Sequence, residues 1–254
     1  MQAEQLLDDF VAHGYAVVPD FWNAARCAEL QVAVEAIWRE LGEPPLFSEE
    51  DIQLAPDVNV TQVGFTLLSL FGRSDAPLPF VTDSRLIELF ERCLGEAFEL
   101  EQVSAVLCDQ ERPFFFWHSH LGGIDGADFR NHEWAPRERI DRMVCTLYCC
   151  PVNAEYGTML VQPRSLAEST RAPYVPGREP WPGAVDLSGP IGTLVLLDEA
   201  TWHAVRPMQV VGRRCFAACF VRRKGTKASR RDPSLPLAAA RWPELARCYG
   251  GLLE

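Results

Sequence analysis

The sequence is short of lysine: Lys224 and Lys227 are the only two in 254 residues. Acids outnumber bases by 35 to 24, leaving a formal charge of −11. That balance argues against nucleic acid or an anionic membrane as partner, because phosphate would repel most of the surface. The chain has no CxxC pair, and its nine cysteines are odd in number and irregular in spacing, so no disulfide framework or zinc ribbon is indicated. Most of these cysteines sit inside apolar runs, where a thiol behaves as a small hydrophobe. No apolar stretch reaches the length of a membrane span. The opening MQAEQLLDDF is acidic where a signal peptide would be basic and then apolar. The expectation is a cytoplasmic protein with a small-molecule substrate. The sequence carries no signal for oligomeric state.

The residues present are those of an ordinary globular chain, 48% hydrophobic and 23% charged. Leu6, Leu7, Phe10 and Val11 recur at helical spacing and His13-Gly14 closes that helix. A short β-type run, Tyr15 to Val18, follows. Asn23 caps a second helix that carries Leu30, Val34, Ile37 and Trp38, and Asp83 or Ser84 caps a third over 83–94. Residues 43–62 read as loop. From residue 99 the pattern becomes β-type: 99–108, 113–120, 143–150, 158–162, 192–197 and 214–221. Short strands between Gly, Pro and Asn turns predict a sandwich or barrel, with the earlier helices as a layer upon it. One domain over 1–254 is expected: a mainly helical layer to 95, a β core over 96–222, and a tail over 223–254. The tail begins with the one concentrated basic segment, RRKGTKASRR, read as a solvated loop.

Histidine is scarce, and three of the five lie close together at 118, 120 and 132. His118 and His120 end a strand signal, FFFWHSH, and residues two apart on a strand share a face. His203 follows another strand signal in GTLVLLDEATWHAV. Two near ligands and one distant one suit a first-row transition metal held in a β-barrel. His132, in the polar FRNHEWAPRER, reads as solvent-exposed. Phe114, Phe115, Phe116 and Trp117 read as core and cavity wall, as does Trp202.

Taken in order, these segments resemble the phytanoyl-CoA dioxygenase family of Fe(II)/2-oxoglutarate-dependent oxygenases. HGYAVVPDFWNAARCAELQ is similar to the family's N-terminal segment and TDSRLIELFERCLG to its pre-barrel helix. FFFWHSH stands where the family has its metal-binding HxD, YGTMLVQPRSL is similar to its hairpin, and GTLVLLDEATWHAV to its distal-histidine strand. VGRRCFAACFVRR is similar to its final strand. The resemblance implies a double-stranded β-helix, a cupin-like jelly roll packed against N-terminal helices. It also implies Fe(II), 2-oxoglutarate and O2, with oxidation of a small organic molecule or secondary metabolite, by hydroxylation or desaturation. His118, His120 and His203 would hold the metal, and Arg213 or Arg214 would clamp the far carboxylate of 2-oxoglutarate. Spacing favours Arg214 and strand alignment Arg213.

The chain departs from the family in having HxH for HxD. His120 replaces the carboxylate, or Asp125 or Asp128 of GGIDGADF supplies one, or the position is vacated for a halide as in halogenases. A fourth possibility is an iron-independent or inactive homologue with a redox-neutral or partner-subunit role. A second departure is PRSL for the family's PGSH, which bears on hairpin packing. Substrate choice is expected to rest with loops 43–62, 121–140 and 167–190, in which no code is readable.

Overall fold

The structure is a computed structural model that describes residues 3–95, 97–120, 138–226, 228 and 230–248. The chain opens with helix α1 (Ala3–His13), which stops where Gly14 takes a φ of 75°. Strand β1 (Tyr15–Val18) leads to helix α2 (Ala24–Glu40), whose first turn is capped by the Asn23 side chain accepting from the Ala25 amide at 2.8 Å. Leu30, Val34, Ile37 and Trp38 form its buried stripe. Three short strands come next, β2 (Ile52–Ala55), β3 (Val58–Val60) and β4 (Phe65–Leu67), then the one-turn helix α3 (Leu78–Val81). Helix α4 (Ser84–Leu94) is capped by Asp83 and ends at Gly95.

The core strands are β5 (Phe98–Asp109), β6 (Phe115–His118), β7 (Arg142–Tyr148), β8 (Met159–Val161), β9 (Val185–Leu187), β10 (Leu194–Asp198), β11 (His203–Val205) and β12 (Arg213–Arg223). Helices α5 (Ser234–Arg241) and α6 (Pro243–Cys248) follow. All pairings are antiparallel and form two sheets, one ordered β1-β10-β7-β12-β5-β4-β3-β2 and the other β6-β11-β8-β9. This is a double-stranded β-helix backed by helices.

Period-2 alternation sorts β12 between two environments. Phe216 and Phe220 join Val144, Tyr148, Met159, Val161, Val195 and Leu197 in the cluster between the sheets. Cys215, Ala217, Cys219 and Val221 turn the other way, into the larger cluster that holds α1, α2 and α4. A third cluster, Trp117, Leu160, Trp181, Trp202 and Ala204, covers the outer side of the small sheet. Eight cysteines, at 27, 93, 108, 145, 149, 150, 215 and 219, are buried and form no disulfide, as their apolar surroundings in sequence led one to expect.

Two expectations need correction. Residues 43–62 are not all loop, because β2 and β3 extend the large sheet beyond β4. β2 leaves Ile52 and Leu54 exposed, so it lacks the inward apolar alternation by which a strand announces itself. Nor is the segment after 223 a solvated tail: Leu235, Ala238 and Leu245 are core residues, and Arg230 is buried.

Gly192 (φ 88°) lies where a Cβ would come within 2.0 Å of the Trp22 carbonyl, and its own carbonyl accepts from the Trp22 amide at 3.0 Å. Gly42 (φ 85°) has open space around it. Gly192→Ala should therefore cost about 3 kcal/mol of unfolding free energy in urea denaturation, against about 1 kcal/mol for Gly42→Ala. Equal effects would show that backbone conformation alone, without the Trp22 contact, sets the cost.

Candidate metal centre

Strands β6 and β11 are neighbours, and their register puts His118 directly opposite His203. The pairing slips between His203 and Val205, so two residues of β6, Phe116 and Trp117, lie opposite one of β11, Ala204. That bulge brings Phe115 to the same side as His118, with ring centroids 4.5 Å apart, while Trp117 faces outward and stacks on Trp181 at 4.2 Å. The aromatic run thus splits, Phe115 lining the histidines and Trp117 packing behind them.

The imidazole rings of His118 and His203 lie 4.0 Å apart, and that of His120 lies 4.8 Å from His203 and 5.4 Å from His118. One ligand nitrogen from each falls within 4.8 Å of the others. Small ring rotations bring them to the spacing that metal–nitrogen bonds of ~2.1 Å require. Two rings are held by the same device. Nδ1 of His118 is 3.0 Å from the Phe116 carbonyl, and Nδ1 of His203 is 2.9 Å from the Thr201 carbonyl. A carbonyl only accepts, so the proton sits on Nδ1 and Nε2 is the nitrogen that carries the lone pair. His120 is positioned through its backbone, whose amide donates to the Glu199 carbonyl at 2.7 Å.

For His120 and His203 the surroundings favour the neutral ring, the form a metal needs. Burial pulls His203 down to about 4. His120 is held well below its usual value by burial first, then by His203, Arg230 and His118. Among the described residues no carboxylate belongs to the cluster. Asp125, Asp128 and His132 lie outside the described residues.

The two candidate arginines part company. Arg213, exposed at the start of β12, points to the helical side, where it pairs with Glu35 at 3.2 Å and lies over the Trp38 ring. It lines a surface cleft of about 360 Å³ with Trp38, Phe47 and Gln110, a cleft that contains none of the three histidines. The expectation that Arg213 could face the barrel is thereby corrected. Arg214 shares the inward face with Phe216 and Phe220 and is completely buried. Its Nη1 donates to the carbonyls of Tyr156 and Gly157, and it lies 5.1 Å over the Phe216 ring. Its Nε and Nη2 have no hydrogen-bond partner.

Some of the surroundings were not foreseen. Arg230, from the basic segment read as solvated, donates to the buried Glu199 carboxylate at 2.9 Å and lies 3.9 Å over Phe220, which itself touches His120. Burial raises Glu199 even beside that cation. Nothing in RRKGTKASRR distinguishes Arg230 from its neighbours, although the acids of LLDEATWH, placed just after an apolar strand, were a sign that cations would be needed nearby. In PRSL, Arg164 pairs with buried Asp198 at 2.6 Å and Leu166 is core, so this departure does act on hairpin packing. Arg178 and Glu49 form an exposed pair at 2.7 Å that joins two of the three loops expected to choose a substrate.

No family model matches the chain, and no curated protein matches it. Solved structures do match. EctD from S. alaskensis with bound Fe gives a TM-score of 0.63 at 18% identity, over 91% of this chain and 80% of that one. The non-heme alpha ketoglutarate dependent carbocyclase SnoK from nogalamycin biosynthesis gives 0.63 at 14% identity, over 88% and 86%. HygX from Streptomyces hygroscopicus with nickel, 2-oxoglutarate and hygromycin B bound gives 0.61 at 14% identity, over 88% of each chain. The fold is shared. At such identity the likeness speaks for architecture, and the chemistry has to be argued from the residues.

Because His203 is neutral in the folded protein and titrates near its ordinary 6.5 when unfolded, the unfolded chain binds more protons between those values. Stability of the metal-free protein should therefore fall as pH drops from about 6.5 towards 4, His203 contributing about 3 kcal/mol. Denaturant titrations of wild type and His203→Gln across this window measure the difference. A constant difference would mean that the ring is not held neutral by burial.

Proposed function

We propose that this protein is a non-heme iron enzyme that uses O2 and 2-oxoglutarate to oxidise a small organic molecule, and that His118, His120 and His203 are its metal ligands. One observation carries the reading: three imidazoles, with one ligand nitrogen of each within 4.8 Å of the others, share a barrel with a wholly buried, incompletely paired Arg214 on its inward face. Nickel and 2-oxoglutarate bound to HygX, on the same fold, support it.

The donor set fits a first-row transition metal, since imidazole suits iron and three ligands leave open positions. Iron bound there would activate O2, with 2-oxoglutarate supplying electrons as it loses CO2. The chain's own work is different. The Phe116 and Thr201 carbonyls fix the tautomers of His118 and His203. The Arg214 fork suits a carboxylate in two parallel bonds. Phe115 and Phe220 flank the imidazoles with apolar surface that excludes water. The carbocyclase SnoK shows that the fold also serves reactions other than hydroxylation, so the outcome at the substrate is set by its pose. The want of a ligand carboxylate among the described residues favours one competing reading, a protein that performs redox-neutral chemistry without iron.

Protein purified under argon should take up one Fe(II) per chain and consume 2-oxoglutarate in air. His203→Ala should reduce bound iron at least tenfold, read by elemental analysis, and His120→Asp should keep the metal and raise 2-oxoglutarate turnover. Stoichiometric iron in His203→Ala would discard this ligand set. A wild-type protein that binds neither iron nor 2-oxoglutarate would leave the redox-neutral reading.

A further inference from the structure

Arg214 is not alone in the barrel. Arg112, just before β6, is 2% exposed, and its guanidinium reaches only the carbonyls of Val63 and Arg206, each at 3.4 Å, with Nε unpartnered. Neither arginine forms an ion pair among the described residues. The two share their surroundings. Cys108 stands opposite Arg214 in the β5–β12 register, and its buried thiol feels both cations. Burial would push that thiol up, yet Arg112 and then Arg214 outweigh it and draw it below its ordinary value. The Gly157 turn joins the pair from the other side. A Cβ on Gly157 (φ 73°) would fall 2.4 Å from the Arg206 carbonyl that Arg112 contacts and 2.8 Å from Nη1 of Arg214. Only glycine allows both anchors to close on that point.

Two buried guanidinium groups without a carboxylate are costly, since each has left water and each repels the other. Burial, together with Arg214, pulls Arg112 down to about 10. Asp109 acts on it favourably but is only partly buried and makes no ion pair with it. Apart from the Cys108 sulfur, which Arg214 also meets, no partner faces Nε and Nη2 of Arg214 or Nε of Arg112. A carboxylate offers about four acceptor sites and would satisfy them together.

We infer that Arg112 and Arg214 form a single clamp for the far carboxylate of a dicarboxylate co-substrate, with Arg112 the residue that makes the pocket selective for dicarboxylates over monocarboxylate 2-oxo acids. This rests on the reading of the barrel as a 2-oxoglutarate site. Arg112 is the part of it that neither histidine spacing nor strand alternation indicates.

The test uses nickel-loaded protein, which binds without turning over, and calorimetric titration with 2-oxoglutarate and with 2-oxopentanoate, which has a methyl group in place of the far carboxylate. Arg112→Gln should weaken 2-oxoglutarate about 30-fold, a charged hydrogen bond's share, while leaving nickel stoichiometry and 2-oxopentanoate affinity within twofold of wild type. Arg112→Lys, which keeps charge but loses the fork, should fall between, and serves with thermal unfolding as the folded comparison if the glutamine variant is unstable. Unchanged 2-oxoglutarate affinity in both variants, with loss in Arg214→Gln, overturns the two-arginine clamp and leaves the proposed function standing. If wild type ignores 2-oxoglutarate but metal-free protein binds glutarate in an Arg112-dependent manner, the clamp stands and the co-substrate assignment falls. Binding of neither by wild type overturns both.

Discussion

The pairing of β6 with β11 is the constraint on which the rest of the structure depends. It sets His118 against His203 across eighty-odd residues of chain, and the bulge beside it decides which aromatic side chains face them. Both histidines then use the carbonyl two residues earlier to fix the proton on Nδ1. The turn that carries His203 is tied in turn to the helical layer. Thr201 donates from its hydroxyl to the Gly14 carbonyl at 2.9 Å, and its amide donates to Asp198 at 2.8 Å. Gly14 admits this contact only because it has no side chain: a Cβ there would lie 2.4 Å from the Thr201 hydroxyl. The end of α1 therefore helps to hold an imidazole that is remote from it in sequence.

Much of this was legible because local signals and the global fold agree. Asn23, Asp83, Gly14 and Gly95 mark helix ends by chemistry that acts within one turn, and all four sit where that chemistry requires. The β7, β10 and β12 runs were readable because most of their residues are buried, which makes the middle of each run largely apolar. The His118–His120 spacing was readable for a similar reason, as strand periodicity is local. The choice between Arg213 and Arg214 was not. Alternation says only that they diverge; which one points inward follows from the register Arg214↔Cys108 and from the presence of Trp38 and Glu35 on the opposite side.

Buried charges account for most of what remained hidden. Arg112, Arg230 and Arg164 look in sequence like ordinary surface residues, and the burial of Arg230 and Arg164 is matched by acids distant along the chain. Composition masked them as well, because in a protein so poor in lysine arginine supplies nearly all the positive charge, surface and interior alike. Strands β2 and β3 were hidden for a different reason. β2, at the sheet edge, leaves Ile52 and Leu54 exposed, and β3, although Val58 and Val60 are buried, is only three residues long, too short for its alternation to stand out.

The charge balance within the barrel gives these features a common sense. A three-histidine centre brings no negative charge to a divalent cation, whereas the family pattern brings one from aspartate. Arg214 on the inward face of β12 and Arg112 just before β6 are two buried guanidinium groups without carboxylate partners among the described residues. On the reading proposed above, the doubly charged co-substrate would meet both needs, one end facing the cation and the other the arginines. Neither metal nor dicarboxylate would then be as well held alone as with its counterpart. Binding linkage makes that coupling reciprocal: whatever factor the metal adds to dicarboxylate affinity, the dicarboxylate returns to the metal. On that reading the want of an aspartate would be more than a missing ligand: the co-substrate would carry a share of the charge neutralisation, and retention of the metal would depend on occupancy of the arginine end.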